Sequence, residues 1–270
     1  MNRSLKNIAA EIFPPVLLRL LKPGVKYGWK GDFSNWNEAA EQCNGYNAAN
    51  IVEKVKQAAI KVKKGDAAYE RDSILFEKVQ YSWPLLSSLM WIAAKNAGVL
   101  YVIDFGGSLG SSYFQNRKFF EGIRVRWNIV EQPGFVQLGN EFIADEKLQF
   151  FNSIKEAMDR NGSPNVLLIS CALPYLEEPY EFLKEVMRLE IPHIIIDNTP
   201  FNFQNRDRIT IQNVNPSIYK ASYPCWLLNY NSVVSLIQTK YEIHTEYANE
   251  LSISLDKHPV QYQGLLAILK

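Results

Sequence analysis

The sequence predicts an α/β fold, a doubly wound and mainly parallel sheet from about residue 99, preceded by a helical cap over residues 1–98. Three observations carry this expectation. Val99–Asp104 is a near-continuous apolar run with β-branched and aromatic members, the pattern of a strand buried on both faces. Runs of the same kind recur at 125–130, 148–151, 165–170 and 193–197, with helical segments between most of them. Before residue 99 the texture differs, reading as helices and loops. Alternation of strands and helices is how right-handed crossovers build a parallel sheet.

The elements follow in chain order. Leu5–Leu21 is the most apolar stretch, but Lys6, Glu11, Pro14, Pro15 and Arg19 interrupt it. It falls short of the roughly 20 apolar residues of a membrane span, and its prolines fit a signal peptide poorly. It reads as a short helix packed on the domain or as a surface helix touching a membrane. Ser34 or Asn35 caps a helix beginning at Trp36, and Asn50 caps another over Ile51–Val62, which Gly65 ends. Pro84 opens the apolar helix Leu85–Ala97, closed by Gly98. Beyond residue 99, helices are expected at about 111–120, 135–144, 153–160 and 179–189. Residues 198–229 read as a long irregular stretch rich in Asn, Pro and aromatics. A helix at 232–238 and two strands, 241–247 and 264–269, complete the sheet, the last with the option of entering antiparallel.

Composition narrows the function classes. The chain has 270 residues, 47% hydrophobic and 21% charged, an ordinary globular balance. Lys plus Arg (29) and Asp plus Glu (28) nearly cancel, so the electrostatic footprint of a general nucleic-acid binder is missing. Cys43, Cys171 and Cys225 are odd in number and far apart, which excludes a disulfide framework and a paired-cysteine metal knuckle. No other metal-ligand spacing is present. Reduced thiols in a cytoplasmic protein follow, with peripheral membrane contact through residues 1–22 as the open alternative.

In an open α/β sheet, ligands bind outside the carboxyl ends of the strands. Those ends carry Asp104-Phe105-Gly106-Gly107-Ser108-Leu109-Gly110, Glu131-Gln132, Asn152-Ser153, Ser170-Cys171 and Asp197-Asn198-Thr199. The glycines allow a tight turn and close backbone approach to a ligand. The turn is not the dinucleotide pattern GxGxxG, because Gly106 comes one position too late. An acid directly before the glycines suits a cationic ligand better than a pyrophosphate. Glu131, about 20 residues beyond the turn, is placed to accept both hydroxyls of a ribose. Together Asp104 and Glu131 point to S-adenosylmethionine as cofactor, with Gly106, Gly107, Ser108, Gly110, Gln132, Ser153 and Ser170 as further candidate cofactor contacts.

The chain resembles a family of S-adenosylmethionine-dependent methyltransferases found among bacterial surface-polysaccharide genes. The resemblance rests on Tyr69-Glu70-Arg71-Asp72-Ser73 with Phe76, on Asp104-Phe-Gly-Gly-Ser-Leu-Gly-Ser-Ser-Tyr-Phe114, and on Trp127 with Val130-Glu131-Gln132. It continues through Tyr175-Leu176 with Pro179, Asp197 with Thr199-Pro200-Phe201, and Tyr223-Pro224 with Trp226, covering residues 27–230. The chain departs from the family pattern at Asn198, where arginine is expected, and at Pro174, where a polar residue is expected. The resemblance implies a Rossmann-like class I methyltransferase sheet. The run Tyr69–Ser73 reads either as a capping and salt-bridge cluster or as a lid in which Arg71, whose planar fork suits a carboxylate, holds the methionine carboxylate.

Asp197, at the cleft end of its strand, and Tyr175 are the candidate catalytic residues. Tyr69, Thr199, Tyr223 and Trp226 are candidate acceptor contacts. His193 begins its strand, at the far end from the cleft, and reads as structural; His244 and His258 are minor candidates for a base. The expected activity is methyl transfer to oxygen or nitrogen of a small or glycan-linked acceptor. A catalytically silent binding protein in glycan assembly and an NAD(P)-dependent oxidoreductase are the rival readings. The sequence does not give the oligomeric state.

Overall fold

The computed structural model describes residues 27–43, 48–71, 73–215, 218, 221–256 and 258–270. The expected helix at Leu5–Leu21 lies outside the described residues. The elements are β1 (Gly28–Phe33), α1 (Trp36–Glu41), α2 (Ala48–Lys64), β2 (Tyr69–Arg71), β3 (Ile74–Phe76) and α3 (Trp83–Lys95), then β4 (Val99–Phe105), α4 (Ser111–Asn116), β5 (Arg124–Val130), α5 (Pro133–Leu138) and β6 (Leu148–Phe151). The chain continues through α6 (Ile154–Asn161), β7 (Val166–Ser170), α7 (Pro179–Arg188), β8 (His193–Asn202), β9 (Arg208–Asn213), β10 (Ser222–Asn229), α8 (Tyr230–Gln238), β11 (Tyr241–Leu255) and β12 (His258–Leu269).

The main sheet runs β6-β5-β4-β7-β8, all parallel, and continues through β12, antiparallel to β8, to β11. The order reverses between β4 and β7: the chain winds outward from β4 to β6, then returns to the other side of β4 with β7. Two apolar layers cover the two faces. One joins α2, α3, α4 and α5 to Leu100, Val102, Trp127 and Ile129. The other joins α6, α7 and α8 to Ile103, Ile169, Ile194 and Ile196. Alternate residues of β4 therefore enter opposite layers, as the pleat requires. Asn35 caps α1, its side chain accepting from the Glu38 amide at 2.9 Å. Helix α3 begins at Trp83 with Pro84 in its first turn, where the missing N–H costs nothing.

Two sequence expectations are corrected. Residues 198–229 are not irregular: β8 extends to Asn202, and β9 and β10 follow as an antiparallel pair. The segment before residue 99 is not only helix and loop. It contains the β2–β3 hairpin and β1, and β1 pairs antiparallel with β9. Past the end of β7, β10 takes up the free edge of β8, with Leu228 opposite Phe201 and Asn229 opposite Asn202. The strands β1, β9 and β10 thus extend the sheet beyond the carboxyl ends of the central strands. Polar and aromatic composition hid them, because their partners are distant in sequence and their faces are only partly buried.

Candidate functional site

The turn after β4 alternates its backbone. Gly106, Ser108 and Gly110 have positive φ (74°, 53° and 101°), while Gly107 and Leu109 do not. A serine therefore occupies the middle left-handed position, which costs it more than it would glycine. The Gly106 amide donates to the Val130 carbonyl at 2.9 Å, fastening the turn to the end of β5. A Cβ on Gly106 would fall 2.8 Å from the Cβ of Ala172, just past β7.

Asp104 lies fully buried beneath this turn. The Trp127 indole donates to its Oδ2 at 2.9 Å, while Oδ1 has no hydrogen-bond partner. Burial pushes its carboxyl up to about 7; the Trp127 bond opposes this, and the carboxylates of Glu131 and Asp197 reinforce it. Glu131 takes two backbone donors, the Ser108 amide at 3.2 Å and the Gln132 amide at 2.7 Å. Burial raises its carboxyl, and those two amides partly offset the rise. Gln132 caps α5 through its carbonyl, which accepts from Phe135 and Val136.

Asp197 lies at the end of the paired stretch of β7 and β8, opposite Ser170. The Ser170 hydroxyl donates to Oδ2 and the Tyr247 hydroxyl to Oδ1, each at 2.9 Å. Asn198 follows with φ 46°, and the register with β12 slips between Gln263 and Leu265. Asp197 and Asn198 therefore share the place opposite Gly264, a bulge that re-aims the strand at the cleft edge. Thr199 is fully buried and its hydroxyl donates back to the Asp197 carbonyl at 3.0 Å.

The remaining candidates fall into groups. Tyr175, in a single 3₁₀ turn at 173–175, meets Tyr223 of β10 edge-on with ring centroids 5.3 Å apart. Its hydroxyl donates to Gln212 of β9 at 2.8 Å. Trp226 stacks on Trp36 at 6.2 Å and donates to the Glu177 carbonyl at 3.3 Å. Tyr175, Tyr223 and Gln212 thus share one wall, since Gln212 is the cross-strand partner of Tyr223, whereas Trp226 lies on the opposite face of β10 against Trp36. Tyr69 stands apart, buried in the β2–β3 hairpin against Phe76. Arg71 closes that hairpin opposite Ile74. Ser153 uses its hydroxyl to cap α6, accepting from the Glu156 amide at 3.1 Å.

Sequence reasoning missed four residues. Tyr247 reaches Asp197 from a strand 50 positions away. Gly264 leaves room for the Tyr247 ring. Gln212 orients Tyr175. Glu70, buried in β2, accepts from the Ser111 hydroxyl and from the Ser73 amide, so the hairpin is tied to the residue that follows the glycine turn. Only Glu70 had a signal, its place in the Tyr69–Ser73 motif.

Counting the main sheet alone, the order β6-β5-β4-β7-β8-β12-β11 with β12 antiparallel is that of the Rossmann-like class I methyltransferase fold. No family model and no curated protein matches the chain. Among solved structures it is similar to the N-terminal domain of EvdMO1, crystallised in the presence of SAH and D-fucose, at 12% identity and TM-score 0.48 over 83% of this chain and 98% of that one. It is similar to the glycopeptide N-methyltransferase MtfA complexed with S-adenosyl-L-methionine, at 12% identity and TM-score 0.46 over 68% of this chain and 94% of that one. A third similarity is to the Burkholderia thailandensis 1,6-didemethyltoxoflavin-N1-methyltransferase, at 12% identity and TM-score 0.42 over 92% of this chain and 98% of that one. Among the described residues no helix is long and apolar enough to cross a membrane, and no group of His, Cys, Asp and Glu is placed to hold a metal ion.

Proposed function

We propose that the protein is an S-adenosylmethionine-dependent methyltransferase acting on oxygen or nitrogen of a small or glycan-linked acceptor. The observation that carries this reading is Asp104, a buried carboxylate with one oxygen unsatisfied beneath the glycine turn, beside Glu131 at the end of the next strand. A buried unpaired carboxylate oxygen costs free energy that a nearby cation recovers. The residues fit the cofactor on one further count: Glu131 offers carboxylate oxygens at the strand end. The cofactor, when bound, supplies an electrophilic methyl group and a good leaving group.

The chain's own residues then align and desolvate the reactants. Asp104 holds negative charge beneath the turn, and Glu131 orients the ribose hydroxyls. Gly110, Ser108 and Gln132 contribute backbone to the cofactor's bed, and Ser170 holds Asp197. Asp197, buried and bonded to Ser170 and Tyr247, is the acceptor-positioning carboxylate in this reading, and each of its oxygens keeps a lone pair for an acceptor's proton. Tyr175 and Tyr223 form an aromatic wall for the acceptor, the kind of face on which sugar rings pack, while Trp226 packs on Trp36 from the other face of β10. The β2–β3 hairpin and Arg71 supply the cap over the cofactor. The protein works in the cytoplasm in this reading.

Calorimetric titration with S-adenosylmethionine, its demethylated product and NAD(P)H tests the proposal. Binding of the first two and not the third supports it. Binding of NAD(P)H alone overturns it in favour of an oxidoreductase. Cofactor binding with no turnover on any sugar or amine acceptor moves the assignment to a silent binding protein.

A further inference from the structure

One face of the molecule combines lysines with exposed aromatic rings. Helix α2 carries Lys54, Lys56, Lys61, Lys63 and Lys64 against a single acid, Glu53, although the whole chain is nearly neutral. Val55, Ala58, Ala59 and Val62 turn inward, which leaves Lys54, Lys61 and Lys64 on the outer side at helical spacing. Three lysines are held locally, the first being Lys54, which donates to the Ile218 carbonyl at 2.8 Å. Lys56 pairs with Glu53 at 2.5 Å, and Lys63 donates to the carbonyls of Phe142 and Ala144 at 3.0 and 3.3 Å. Lys61 and Lys64 form no ion pair among the described residues. A groove of about 340 Å³ runs along this side, with Lys54 and Lys61 on one wall and Ile74 and Leu75 of the hairpin on the other. Leu75 is 39% exposed.

The same face continues into an aromatic cluster. Arg117 donates to the Val62 carbonyl of α2 at 3.2 Å, and Lys118 and Phe119 follow it. Phe119 meets Tyr81 and Trp83 edge-on at 5.1 and 5.9 Å, and Tyr81 meets Trp83 at 5.1 Å. Trp83 is 61% exposed and Phe119 37%. Large rings are rarely left so open without an occupant. Acids are present too, at Asp66, Glu77 and Glu121, but cations outnumber them.

We propose that this face docks on an anionic lipid bilayer, with headgroup phosphates in the α2–hairpin groove and the Trp83–Phe119 rings at the headgroup boundary. Charge complementarity selects the occupant. Lysine stems with aromatic rings beside them are what an interfacial surface uses, since the rings are amphipathic and the ammonium groups remain in the wet layer. A single-stranded nucleic acid would also match lysines beside rings, but Tyr81, Trp83 and Phe119 lie tilted or edge-on to one another and offer its bases no run of parallel faces. The hairpin that walls the groove is the one assigned above to the cofactor's cap, but vesicle binding needs no cofactor, so its outcome is read separately from the methyltransferase reading.

Co-sedimentation of the full chain with phosphatidylcholine vesicles, with and without phosphatidylglycerol, tests it. The protein is expected to pellet with the anionic vesicles and to be released by salt. The pair Lys61→Glu with Lys64→Glu should weaken binding by about five-fold or more per lysine. The pair Trp83→Ala with Phe119→Ala should weaken it independently. All four positions are open, so an unchanged melting temperature confirms that the variants fold. Equal binding to neutral vesicles, no binding to either, or wild-type binding by both variants would overturn the proposal. So would binding to a single-stranded oligonucleotide in place of vesicles.

Discussion

The ring of Tyr247 crosses Gly264 to reach Asp197. The two strands β11 and β12 set Tyr247 directly opposite Gly264, and a Cβ on that glycine would fall 2.2 Å from the tyrosine ring. Only a residue without a side chain lets the hydroxyl arrive 2.9 Å from Oδ1 of Asp197. Burial and the adjacent carboxylate push the Tyr247 phenol upward, so it remains a donor throughout the accessible pH range. Tyr247→Phe should cost about 2 kcal/mol, the worth of a hydrogen bond to a charged group. Gly264→Ala should cost about 2 kcal/mol by overpacking. Thermal denaturation of both single variants and the double variant checks this. The double variant should lose less than the sum, since the two changes act on one contact.

Asp104 gives a stability that depends on pH. Its carboxyl is raised from 3.8 to about 7, so the folded state favours the protonated form. The stability it contributes is full below the unfolded value and is lost as pH rises from about 4 through about 7. The loss is at most about 4 kcal/mol. Asp104→Asn keeps an acceptor for the Trp127 indole and removes the titration. Melting curves of the variant should be flatter across that window, and the variant should be the more stable protein at pH 8. Its affinity for S-adenosylmethionine should fall at the same time.

Gly107 is fixed by that same carboxylate. An added Cβ would lie 2.6 Å from Cγ of Asp104. Gly107→Ala should lower the melting temperature by overpacking worth about 1–3 kcal/mol. Gly134, whose Cβ would meet nothing within 4 Å, is the control.

Glu131→Gln replaces a carboxylate that receives the Ser108 and Gln132 amides. Loss of the charge should weaken S-adenosylmethionine binding by about 1.5–3 kcal/mol, roughly ten- to a hundred-fold. Calorimetry at constant pH reads it. Unchanged affinity in both this variant and Asp104→Asn would remove the cleft assignment.

Arg71→Ala separates two roles for the β2–β3 hairpin. If the arginine serves the cofactor carboxylate, affinity falls and the melting temperature holds. If the melting temperature falls and affinity holds, Arg71 only secures the hairpin whose Glu70 is bonded to Ser111.

The central strands were legible because their signal is local. Val99–Asp104 and His193–Asp197 are apolar on both faces, so each reads as a buried strand without reference to its neighbours. The positions of the glycine turn, Glu131 and Asp197 at strand ends were legible because each follows directly on an apolar strand run. Other features had no local signal. β1, β9 and β10 pair with partners up to 185 positions apart, as Gly28 does with Asn213. Ser153 and Thr199 looked like cleft contacts, yet their hydroxyls serve a helix cap and a neighbouring carbonyl. Hydroxyl groups bond to nearby backbone as readily as to a ligand, and sequence does not distinguish the two.

The sequence by itself determined the fold class, the winding of a buried sheet, and the acids and glycines at its carboxyl edge. Periodicity and strand ends encode these, and both act over a few residues. Tertiary structure alone decided that Asp104 keeps an unpaired oxygen beneath Gly107, that Tyr247 reaches Asp197 over Gly264, and that β9 and β10 wall the site beside Tyr175. Each of those facts depends on segments brought together across the sheet, and burial converts their short distances into energies that no local pattern carries.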